Sequence, residues 1–164
     1  MMSSLPWAAS DGYAPLSRSR TEKSLVFQGR LENLAKIAEF VTEQARLAGL
    51  DDAEIYAVQL AVDEAATNII EHTYRGESQG DITCQCEPIR GGLRVTLQDR
   101  GDPFDPTSVP DPVFDMPLEY LKSRGLGVFL MRQMMDKIAY AYSPAEGNVL
   151  TMVKLKKKGA VTAD

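Results

Sequence analysis

Two stretches of strict alternation, Ile82-Thr-Cys-Gln-Cys-Glu87 and Leu93-Arg-Val-Thr-Leu-Gln98, constrain this chain more than any other feature. Successive side chains of an extended strand point to opposite faces. Ile82, Cys84 and Cys86 therefore share one face, as do Leu93, Val95 and Leu97. The Pro88–Gly92 segment supplies the turn, so the whole stretch reads as a hairpin with one apolar face. That face has to be covered, and the sequence before the hairpin has the period of helices.

Leu34, Ile37, Ala38, Val41 and Ala45 recur at steps of three and four and predict a helix closed by Gly49. Asp51 or Asp52 caps the next one. In that helix, which reads on through Tyr74, Ile55, Val58, Val62, Ala65 and Ile69 form the apolar stripe. Glu64, Asn68 and His72 recur at steps of four and stack on a second line about 100° round from the stripe. A carboxylate, an amide and an imidazole at the edge of a core lose hydration unless something pairs with them. They are either solvated edge residues or groups that meet a ligand.

The remaining segments complete a layered pattern. Ser24–Arg30 reads as a first strand, and Asp136–Tyr142 and Val149–Leu155 as two more, joined by a turn through Pro144 and Gly147. Residues 99–124 hold five of the chain's nine prolines without any period, which predicts a long functional loop, a lid. Arg124-Gly-Leu-Gly127 then opens a mostly buried helix through Met135. Two glycines at a helix start let the backbone approach a ligand, and the free amides with the helix dipole favour phosphate. No Gly-Lys-Ser/Thr follows, so this is not a P-loop. The order strand, two helices, hairpin, loop, helix, hairpin predicts an α+β two-layer sandwich, an antiparallel or mixed sheet with helices on one face.

At 164 residues and 44% hydrophobic, the chain fits one domain, expected over residues 23–158. Residues 1–22, rich in Ser, Pro, Gly and Arg, read as a flexible extension that is disordered or packs on a partner, and 159–164 as a tail. A net charge of −5 argues against a general nucleic-acid binder. The one basic cluster, Lys154, Lys156, Lys157 and Lys158, reads as a solvated strand end. No apolar run approaches the ~20 residues of a membrane span, and the N-terminus has no secretory pattern, so a cytoplasmic location is expected. Cys84 and Cys86 read as buried reduced thiols.

Three separated motifs together resemble the GHKL ATPases. Glu64-x-x-x-Asn68-x-x-x-His72 resembles their N box, Asp99-Arg-Gly101-Asp-Pro-Phe104 the first glycine box, and Arg124-Gly-Leu-Gly127 the second. The wording around the first and third is similar to anti-sigma factor serine kinases, and the resemblance runs from about Ser24 to Lys157. It implies the Bergerat-type ATP-binding fold, with ATP and Mg²⁺ as cofactors. By this resemblance Glu64 is the general base, Asn68 the Mg²⁺ ligand and Asp99 the adenine anchor. Gly101 lets the base approach, and Gly125, Leu126, Gly127 and Val128 hold phosphates. Arg124 either stabilises γ-phosphate charge or is a surface residue at the lid's end. His72 is a structural residue or lies at the nucleotide's edge.

Many members carry Gly-Thr where this chain has Gly147-Asn148, and an amide can still donate and accept. The implied function is a protein-serine kinase, expected as a homodimer, that phosphorylates a STAS-domain anti-anti-sigma protein and sequesters a sigma factor. Two alternatives stand beside it. One is a non-catalytic ATP-binding interaction module. The other is a detached histidine-kinase catalytic domain, which the single histidine, His72, inside the N box disfavours.

Overall fold

A computed structural model describes residues 22–121 and 125–157, and the expected extension, but for Glu22, and the whole of the expected tail lie outside them. Five strands, β1 (Lys23–Gln28), β2 (Asp81–Ile89), β3 (Gly92–Asp99), β4 (Lys137–Ser143) and β5 (Gly147–Leu155), form one sheet in the order β1-β2-β3-β5-β4. Every pairing is antiparallel. Among the described residues four α-helices accompany it: α1 (Leu34–Leu47), α2 (Asp52–Asn68), the single turn α3 (Leu118–Leu121) and α4 (Leu126–Met134). The two-layer α+β architecture is borne out.

The alternation of the hairpin becomes the register of the sheet. Cys84 pairs with Leu97, Leu97 with Leu150 and Leu150 with Tyr140, so these four side chains share one face. The next row on that face is Cys86, Val95, Met152 and Ile138. The predicted stripe of α2, from Ile55 to Ile69, is buried and packs into the same core with Ile37, Val41 and Ala45 of α1 and Val128 and Met131 of α4. Both cysteines are buried free thiols, as expected. The neighbouring Cys84 thiol, and then burial, push the Cys86 thiol well above its usual range.

Three local departures have physical causes. The hairpin turn is Arg90-Gly91 alone, because Pro88 belongs to β2 and pairs with Leu93. It lies past Cys86, the last residue of β2 that β1 reaches, where a missing N–H takes no bond from that neighbour. Second, α2 stops at Asn68, and Ile69–Thr73 form a π turn in which the N–H of Tyr74 reaches Ile69 O at 2.8 Å. The wider turn carries His72 off the four-residue line. Third, Lys154 is not solvated: its amine donates to Met134 O at 2.8 Å, satisfying an end carbonyl of α4.

Two ties anchor the two ends of α2 in this scaffold. Asp51 and Glu54 make the capping box that starts α2, at 2.8 and 2.7 Å, and the other Glu54 oxygen accepts from the Lys157 N–H at 2.6 Å. The Tyr74 hydroxyl donates to Asp81 O at 2.6 Å and accepts from the Arg100 N–H at 2.9 Å, joining the end of α2 to the loop after β3. Tyr74→Phe is expected to destabilise the fold by ~1–3 kcal/mol, since both partners are left short of a bond. Urea unfolding of the variant would check this, and an unchanged midpoint would show that the hydroxyl is dispensable.

Candidate functional site

Asp99 is the last residue of β3 and sits directly across from Asn148 of β5, on the helix-covered face. It is 3% exposed. Its Oδ1 accepts from Asn148 Nδ2 and from the Gly101 N–H, both at 2.9 Å. Burial raises the Asp99 carboxyl above its usual range, and these two hydrogen bonds pull the other way. No bond to its Oδ2 is formed among the described residues. That oxygen is left to accept from a ligand.

Asp99 and Asn148 line a narrow cavity of ≈ 20 Å³ together with Asn68, Thr73, Phe104, Met131 and Tyr140. The space holds about one water, so a purine ring fits only if the lining gives way, and Phe104 and Pro106 are lining residues carried on the loop after β3 rather than on the sheet or α2. Gly101 packs with its Cα against Thr73, and the Asp102 N–H donates to Thr73 O at 3.0 Å. The π turn that ends α2 thus supports the loop after β3.

A second cleft of ≈ 710 Å³ adjoins the first, and Asn68 and Phe104 line both. Glu64, His72, Gly125, Leu126, Gly127 and Val128 line this cleft. α2 supplies Glu64 and Asn68, one turn apart on the same side of the helix. Gly125, with φ +93°, is the N-cap of α4, and the first intrahelical bond runs from the Phe129 N–H to Gly125 O at 2.9 Å. The N–H groups of Leu126, Gly127 and Val128 therefore lack intrahelical acceptors, the arrangement that binds anions. A Cβ at Gly127 would overlap Glu64 Oε2, so only glycine lets this carboxylate lie against the start of α4.

Asn68 shows what the cleft lacks. Its Nδ2 is buried and has no hydrogen-bond partner. A half-turn of the amide exchanges nitrogen and oxygen, so the orphaned position suits an oxygen offered to a hard cation. Among the described residues no three His, Cys, Asp or Glu gather as a metal cage. A cation here would rely on phosphate oxygens and water besides Asn68. These residues fit Mg²⁺ held with a nucleotide.

His72 is exposed and stacks on Phe104, with ring centroids 5.6 Å apart at 27°. Arg124 lies outside the described residues. The structure brings all the other predicted site residues to the two adjoining cavities, or, for Gly101, into hydrogen bond with Asp99. Sequence reasoning missed Tyr140, Thr73 and Tyr74. Tyr140 carried one signal, a polar-tipped aromatic in phase with Ile138 on the core face of β4.

A family profile described as histidine kinase-like ATPase domain matches residues 27–154. The serine-protein kinase RsbW of Bacillus cereus (strain G9842) is 31% identical over 115 residues, 68% of this chain and 70% of that one. RsbW of Staphylococcus aureus is 29% identical over 119 residues, 70% and 74% of the two chains. Among solved structures, the RsbU and RsbW domains of Rv1364c from Mycobacterium tuberculosis superpose with a TM-score of 0.62 at 15% identity. The match covers 88% of this chain and 35% of that one, a likeness of fold. Among the described residues no helix is long and apolar enough to cross a membrane.

Proposed function

Because the chain belongs to the histidine kinase-like ATPase domain family, we propose that it is an ATP-dependent protein-serine kinase of the anti-sigma type. Its phosphoryl acceptor is a STAS-domain anti-anti-sigma protein, and its second partner is a sigma factor that it sequesters. One observation carries the reading: a carboxylate, an orphaned buried amide and a helix N-terminus whose first amides have no intrahelical acceptor line a single cleft. Relatives named as serine-protein kinases support it.

Asp99 reads the base, because its Oδ2 accepts from an exocyclic amine and repels a carbonyl oxygen at the same place, favouring adenine over guanine. The α4 amides from Leu126 to Val128 hold phosphate oxygens. Asn68 turns its amide oxygen to Mg²⁺, which when bound neutralises charge on the phosphates. Glu64 lies against Gly127 in the same cleft, where it takes the proton from an attacking serine hydroxyl.

The test is capture of partners from host lysate in Mg-ATP, followed by incubation of each with labelled ATP and this protein. A STAS-type partner phosphorylated on serine, with a sigma factor co-purified, is the expected result. Partners retained by nucleotide but never phosphorylated would replace the kinase with a binding module. Phosphohistidine would replace it with a histidine-kinase catalytic domain.

A further inference from the structure

The Asn148 amide is fixed from both ends. Its Nδ2 faces acceptors only: Asp99 Oδ1 at 2.9 Å, Asp102 O at 3.0 Å and Gly101 O at 3.3 Å. Its Oδ1 accepts from the Tyr140 hydroxyl at 2.5 Å and from the Phe104 N–H at 3.2 Å. The same Phe104 N–H also approaches the Tyr140 oxygen at 3.1 Å. Among these groups the orientation of the amide is a matter of chemistry, not of choice.

The two holders of Oδ1 differ in kind. Phe104 lies on the loop after β3, the less regular part of the lining of a ≈ 20 Å³ cavity that must widen to take a purine. Tyr140 stands on β4, hydrogen-bonded to β5, which carries Asn148, and β5 is paired in turn with β3, which carries Asp99. A group on regular structure keeps its place when a loop shifts. With a base in the pocket, the phenol is the donor that remains.

We propose that Tyr140 is a positioning residue for base recognition: its hydroxyl holds the Asn148 amide facing Asp99, so that one carboxylate oxygen is saturated and the other is turned to the exocyclic amine of adenine. The proposal rests on the reading of the cavity as an adenine site. Tyr140 works through Asn148 and Asp99 and need not touch the phosphates. Its removal is felt in how well the amine is read, not in how well the rest of the nucleotide is held.

ITP carries a carbonyl where ATP has the amine, so the ratio of the two affinities isolates this contact. The experiment is calorimetric titration of the full chain with ATP and with ITP, in wild type, Tyr140→Phe, Asn148→Thr and the double variant. Wild type is expected to prefer ATP by about 10-fold or more, the worth of a hydrogen bond to a charged group. Tyr140→Phe is expected to lower ATP affinity roughly 3–10-fold and leave ITP nearly unchanged. In the Asn148→Thr background, where a hydroxyl needs no amide orientation, Tyr140→Phe is expected to have no effect on the ratio.

Equal losses for the two nucleotides, or an unchanged ratio, would overturn the positioning role. So would a Tyr140→Phe effect that persists in the Asn148→Thr background. If Tyr140→Phe alone does not fold, the comparison of Asn148→Thr with the double variant still decides that last point. A wild type that binds neither nucleotide, or prefers ITP, would instead overturn the adenine reading itself.

Discussion

Glu64→Gln is expected to keep nucleotide binding and to slow phosphoryl transfer by ~10²-fold or more, the size of a lost general base. The glutamine has the shape of the native side chain, so it still fits in the close space against Gly127. The start of α4 and its phosphate-facing amides should therefore stay in place. What disappears is basicity at the carboxylate that lies against Gly127. Single-turnover transfer from labelled ATP to an acceptor serine, set beside a nucleotide titration, separates the two effects. An unchanged rate would take Glu64 out of the mechanism. Loss of binding and transfer together would make it a support for α4.

Asn68→Ala is expected to move stability and function in opposite directions. In the protein without nucleotide, the buried Nδ2 has no partner, and an unmade bond of this kind costs ~1–3 kcal/mol. Alanine removes it and is the better helix former at the end of α2. Unfolding free energy in urea should therefore rise by roughly 1–2 kcal/mol. Binding of Mg-nucleotide should weaken on the order of 10²-fold, since even outer partners of a metal site are worth 10–100-fold. The affinity measured in chelator should change little. A less stable variant would mean that the amide has a structural duty. Equal wild-type affinities with and without Mg²⁺ would remove the cation role.

Much of the fold was legible because burial imposes a period. The alternation through Cys84 and Cys86 had one reading, and so did the steps of three and four from Ile55 to Ile69, since a helix or strand with one wet side leaves few others. Asp51 or Asp52 announced the start of α2, and it is Asp51 that makes the capping box. The candidate site was legible as three motifs far apart in sequence. Nothing in their spacing says that Asp99 and Asn148 stand opposite each other.

Where the sequence reading missed, long-range contacts outweighed local pattern. His72 leaves the Glu64–Asn68 line because the backbone widens into a π turn just before Tyr74. That turn presents Thr73 O to the Asp102 N–H, and the Tyr74 hydroxyl reaches Arg100 and Asp81. Lys154 reads locally as one of four solvated lysines, yet it ends on a carbonyl of a helix twenty residues earlier. Pro88 reads as a turn residue, yet it extends β2, since the partner strand that would need its N–H ends first.

By itself the sequence determined the elements, the face each one buries and the residue types available to bind a nucleotide. These follow from side-chain period and local capping, which act over a few residues. Only the tertiary structure decided the geometry of recognition: which amide end faces Asp99, which hydroxyl holds it there, and that Glu64 rests against Gly127. Those are contacts between residues 8 to 63 apart in the chain, and distances of about 3 Å across a sheet or between two helices are fixed by register and packing, not by local pattern.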